Sequence, residues 1–151
     1  MRVSTHLSVA LLALLCFILP NSARAEIADV LGDIQWGDSH MEVIEKIREA
    51  RLAELREDPR NRNDRVAMQR ARQRVLDQMR AAEDSFIEIR GRRTGYEVSV
   101  VAEEFVPNNG ESLIRVRDTV AQRFFIFLDG KLYKMVAAYD QEYIANIGFE
   151  A

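Results

Sequence analysis

The apolar positions of this chain fall into three successive regimes: one continuous run, a stretch of helical period, and a stretch of period two. The continuous run is Leu7 to Leu19 (LSVALLALLCFIL). It ends at Pro20 and is shorter than the roughly 20 apolar residues that a membrane-spanning helix needs. Arg2 precedes it, and Ala23-Arg24-Ala25 follows with small residues at the two positions a signal peptidase reads. This order predicts an export leader over 1–25, cleaved after Ala25, and a single domain over 26–151 that resides in the periplasm or is secreted. An uncleaved anchor is the alternative reading of the same run.

The helical regime opens after a short strand expected within Ile27 to Gln35. Ser39 stands three residues before Glu42, the spacing at which side chain and backbone N–H groups satisfy each other in a capping box. A first helix therefore runs from Ser39 to about Asp58, where Pro59 blocks continuation. Its expected buried stripe is Met41, Ile44, Ile47, Leu52 and Leu55. Arg60 to Asn63 reads as a turn, with Asn63 or Asp64 capping a second helix to about Asp84. Met68, Ala71, Val75, Met79 and Ala82 recur there at helical spacing.

Beyond Asp84 the period becomes two. Strands are predicted at Phe86 to Arg90, Tyr96 to Phe105, Leu113 to Arg117, Gln122 to Leu128 and Lys131 to Tyr139. Gly91 to Gly95 and Pro107 to Gly110 supply turns, and the tail from Asp140 begins another helix. The fold class is thus α+β, an N-terminal helical pair packed on an antiparallel β-meander of four to five strands.

Asp129-Gly130 marks a two-residue hairpin loop, which sets a register: Leu128 opposes Lys131 and Phe127 opposes Leu132. With strict alternation one hairpin face carries Phe124, Ile126, Leu128, Tyr133, Met135 and Ala137. The other carries Phe125, Phe127, Leu132 and Val136. Both faces are apolar, so the helices cover one, and the other needs the tail, the N-terminal strand or a partner molecule. Phe125, Phe127, Leu132 and Val136 are accordingly the candidate partner surface.

Charge and composition narrow the chemistry. The formal charge is −3, and removal of Arg2 and Arg24 with the leader would make it −5. Arginines concentrate between Pro59 and Arg80, where Arg70 and Arg74 are the candidate contacts to an anionic partner, either an acidic protein or an anionic lipid surface. The plainer expectation is a solvated helix face balanced by the acidic first helix. Export argues against nucleic acid. Cys16 is the only cysteine and lies in the leader, so the domain has no disulfide and no thiol chemistry. His40 is its single histidine, expected at the surface beside the helix cap. One His without Cys does not make a zinc site. Glu103 and Glu104 fall on opposite faces of a predicted strand and cannot share a proton. Asn108, Asn109 and Glu111 lack the ladder of a calcium loop. No catalytic, cofactor-binding or metal residues are assigned.

The segment Trp36-Gly37-Asp38-Ser39-His40-Met41-Glu42-Val43 is a tight turn followed by a capped helix start. It resembles the G-[M/D]-[S/T]-x-x-E-V turn of the BamE/SmpA/OmlA family of small envelope proteins, whose two helices precede an antiparallel meander; the beta-lactamase inhibitory protein fold is similar in layout. The chain departs from that family in lacking a lipobox cysteine and in its longer, Arg-rich second helix. The resemblance implies a non-enzymatic binding role in a bacterial envelope, with an envelope protein as partner. The alternative expectation is a periplasmic domain that binds a small ligand or lipid between sheet and helices.

Overall fold

The computed structural model describes residues 32–62, 64–91, 95, 96, 99 and 101–146, with residues 61 and 62 described by their backbone. The expected leader, its cleavage point and most of the expected strand within 27–35 lie outside these residues. The chain parts into two units, Met1–Asp33 and Ile34–Ala151, and every described helix and strand belongs to the second.

Helix α1 spans His40–Glu57 and carries the expected capping box: Glu42 N–H donates to Ser39 Oγ, and Ser39 N–H donates to Glu42 Oε2. Pro59–Arg62 is a short helix α2 in place of the expected turn, because Pro59 suits a first helical position as well as a stop. Helix α3 spans Arg65–Asp84, and Asp64 Oδ1 accepts from Val66 and Ala67 N–H as its cap. It buries Ala71, Val75, Met79 and Ala82, four of the five stripe residues expected, with Met68 half-buried. In α1 the stripe is rotated from expectation. Val43 and Ile44 are buried, whereas Met41 is exposed.

Four strands follow: β1 Ile87–Glu88, β2 Glu111–Arg117, β3 Ala121–Leu128 and β4 Lys131–Tyr139. They pair antiparallel in the order β1-β2-β3-β4. A six-residue helix α4, Gln141–Asn146, closes the described chain. Helices α1 and α3 pack on each other, and α3 packs on β2. Ser85 at the end of α3 ties the layers together, donating through its hydroxyl to Ala82 O and accepting from Arg115 N–H of β2. Arg51 of α1 does the same two residues further along β2, donating to Gln78 of α3 and to Arg117 O.

The strand expected over Tyr96 to Phe105 is overturned. Its described residues form successive turns, with Ser99 N–H bonded to Tyr96 O, Ala102 N–H to Ser99 O and Glu104 N–H to Val101 O. Ser99 Oγ adds bonds to Tyr96 O and Val101 N. A serine hydroxyl offers the backbone a local alternative to a strand ladder, and that alternative prevails here. Tyr96, Val101 and Phe105, rather than every second residue, reach the sheet.

The register at the hairpin is the expected one, Phe127 opposite Leu132 and Leu128 opposite Lys131, with Asp129 and Gly130 both at positive φ (49° and 77°) as a mirror-image turn requires. The face assignment of β4 fails beyond Tyr133. A bulge falls between Ile126 and Phe127, so Lys134, not Tyr133, opposes Ile126. One extra residue shifts the phase of the rest of the strand. Val136 therefore opposes Phe124, and Met135 opposes Phe125.

Candidate functional site

Corrected for the bulge, the two sheet faces are distinct. Ser112, Ile114, Val116, Phe125, Phe127, Leu132 and Met135 share the face toward the helices, where His40 meets Phe127 edge-on. Leu113, Phe124, Ile126 and Val136 share the other face and cluster with Ile89, Val101, Tyr96 and Phe105. The surface expected at Phe125, Phe127, Leu132 and Val136 is thus not a surface. The first three are interior at 2% exposure or less, and Val136 lies in the opposite layer. The cover for the second face comes from Ile89, Tyr96, Val101 and Phe105 of the same chain, an option that the strand-like alternation of 96–105 conceals.

The bulge also builds the principal polar cluster. It turns Tyr133 and Lys134 to the same side of the sheet, where Tyr133 grips the first residue of β2 and Lys134 the loop before it. Tyr133 OH donates to Glu111 Oε1 at 2.9 Å. Lys134 Nζ donates to Glu104 O at 2.7 Å and pairs with Glu104 Oε2 at 3.0 Å. Glu111 is buried, and its carboxylate also accepts from Val106 N–H and Asn109 Nδ2. Desolvation, then the bond and charge of Glu111, push the Tyr133 phenol up from 10.0 to about 12. A neutral phenol held against a fully engaged carboxylate is a clamp, with neither a poised base nor a free nucleophile. Sequence reasoning missed it because Tyr133 and Lys134 alternate in any regular strand. Gly110 completes the corner: a methyl group there would come within 2.5 Å of Asp129 Oδ1, at a φ of 87°.

The N-terminal turn is a second polar assembly. Asp38 Oδ2 accepts from Gln35 N–H and Lys46 Nζ, both at 2.7 Å. Burial raises the Asp38 carboxyl, but these two donors and the Lys46 charge outweigh it, and the net direction is down. Gly37 N–H and Leu132 O, then Leu132 N–H and Asp38 O, seat this turn on the start of β4. His40 is half-buried rather than superficial, its ring stacked on Phe86 at 4.3 Å. Trp36 and Met41 flank the cap and remain exposed.

The arginine-rich helix is the third candidate. Arg65, Arg70, Arg72, Arg74 and Arg80 are all exposed on α3. Among the described residues its one ion pair is internal, Arg80 to Asp77, and the link to α1 is Arg51 to Gln78. The expected balancing of these arginines by acids of α1 is not seen there. Arg70 and Arg74, one turn apart, make no hydrogen bond or ion pair with a described side chain.

No group of three or more His, Cys, Asp or Glu among the described residues could hold a metal ion, and no described helix is long and apolar enough to cross a membrane. No protein-family model, curated protein or solved structure matches the chain.

Proposed function

We propose that this chain is an exported, non-catalytic interaction module of a bacterial envelope, and that it binds another protein. The observation that carries the reading is a contrast in use of polar side chains. Glu111, Tyr133, Lys134, Asp38 and His40 are engaged in holding the fold. The arginines of α3 face outward with little to hold. The leader pattern over 1–25 and the resemblance of Trp36 to Val43 to an envelope-protein turn support the same reading. The alternative, a ligand pocket between sheet and helices, is disfavoured by packing: Phe125, Phe127 and Ile114 fill that layer with at most 1% exposure.

The test is in-cell photo-crosslinking from the chain expressed with its own leader, with a photoreactive residue in place of exposed Gln73 on α3. The expected result is a processed N-terminus at Glu26 in the extracytoplasmic fraction and a discrete crosslinked protein. Met1 retained on cytoplasmic protein contradicts the compartment. Diffuse or absent crosslinks from α3 and from Trp36 contradict the module reading.

A further inference from the structure

Apart from its Asp64 cap, helix α3 is charged against its own electrostatics. Arg65 occupies its first turn, where the partial positive charge of the helix terminus disfavours a cation. Glu83 and Asp84 occupy its last turn, where anions are disfavoured, and no basic residue offsets them there. Arg70 and Arg74 stand at i and i+4, a spacing at which like charges repel. Asp77 is within a turn of Arg74, yet it engages Gln73 and Arg80 instead. A helix whose charges served only its own stability would carry the opposite arrangement.

We infer that the outer face of α3 binds an acidic segment of the partner protein through Arg70 and Arg74. The inference rests on the protein-binding reading above and adds the surface and the chemistry of what it takes. Two guanidinium groups one helical turn apart, each presenting a planar fork of donors, match carboxylates by paired hydrogen bonds. Arg65 and Arg72 flank the same helix and extend the positive field along its roughly 30 Å length. An anionic bilayer fits less well. Val66 is the only large apolar side chain exposed on α3 among the described residues, so the helix lacks the apolar face that anchors an interfacial helix. A planar membrane would also meet the rest of a chain whose formal charge is −3. A short acidic segment would sense mainly the arginines within a Debye length of about 8 Å.

The experiment measures binding of a fluorescently labelled oligoglutamate peptide, and separately of phosphatidylglycerol vesicles, to the full processed protein at low and physiological salt. Arg70→Gln/Arg74→Gln is compared with Arg48→Gln/Arg56→Gln on α1. The expected result is peptide binding that weakens with salt and falls about tenfold in the α3 variant. The α1 variant should bind as the parent does. The α3 variant should also keep or slightly raise the melting temperature, because it removes a repulsive pair. No peptide binding at low salt overturns the inference, as does equal loss in both variants, which would reflect net charge alone. Vesicle binding through α3 without peptide binding overturns the acidic-protein occupant. A drop in melting temperature on losing Arg70 and Arg74 makes them structural and overturns it too. A discrete crosslinked partner with no peptide binding would leave the module reading standing and refute only this one.

Discussion

Both faces of the sheet hold fully buried residues, but they are covered by different means. On one, regular helices supply apolar stripes at fixed spacing, among them Val43, Ile44, Val75 and Met79, all of which lie in the core. On the other, an irregular segment supplies Ile89, Tyr96, Val101 and Phe105 at no fixed period, and specific hydrogen bonds hold it in place. A helix buries its stripe by repetition and tolerates imperfect contacts. A loop must be clamped, because its backbone groups have no ladder of their own. That is why the buried carboxylate of Glu111 and the bulge at Tyr133 sit beside the loop.

The largest effects come from breaking each face in turn. Phe125→Ala, on the helix side, should cost about 3–5 kcal/mol, and Ile126→Ala, on the loop side, about 2–5 kcal/mol. Denaturant unfolding reads both. If Ile126→Ala costs less than about 1 kcal/mol, the loop face is not a packed core.

Smaller losses should separate the clamp from the core. Tyr133→Phe removes one donor to Glu111 and should cost about 1–2 kcal/mol. Amide exchange should then speed at Val106 and Asn108, which bond to Glu111 and Ile89 O, while amides of α3 stay protected. Equal acceleration in both places would mean that the loop and helices unfold as one unit. Ser39→Ala, on the helix side, should cost about 1 kcal/mol through loss of the α1 cap, without opening the loop.

The mildest probes are titrations. The Tyr133 phenol has a folded-state pKa of about 12 against 10.0 for the free group. A raised pKa favours the protonated form in the folded state, so its contribution is whole below pH 10 and is lost as pH rises toward 12. Ultraviolet titration should show one tyrosine ionising late, and Tyr133→Phe should abolish that step. Asp38 has the opposite sign. Its carboxyl is held down, so its contribution is present above the ordinary carboxylate range and is lost as pH falls through its lowered value. Acid unfolding should begin at higher pH in Lys46→Met, which removes one of the donors that hold it down.

The helix face was legible in the sequence and the loop face largely was not. Period and capping residues fix α1 and α3 locally, as the Ser39–Glu42 box and the Asp64 cap show. Asp129-Gly130 set the hairpin register for the same reason, since two residues determine the turn. The bulge depends instead on Tyr133 finding Glu111, 22 residues earlier in the chain, and no local pattern encodes that. Val98, Val100 and Ala102 imitate strand alternation, while the adjoining Ser99 supplies the turn bonds that undo it. Arg70 and Arg74 were identifiable as cations from sequence. That they lack partners on α1 required the packing of the helices.

The central claim is that the centre of each hairpin face is interior to one molecule, so that neither is a docking surface. Leu113 and Ile114 are consecutive residues of β2, both fully buried, and they point to opposite faces. Single cysteines at these two positions in a Cys16→Ser background, with a third at Arg70, allow thiol labelling of the native protein to decide. The cysteine at position 70 should react at the rate of a free thiol, while those at 113 and 114 should react only when the protein unfolds. Rapid labelling at 113 with protection at 114 would show the second face to be open, and would return that face of the sheet to the role of a docking surface.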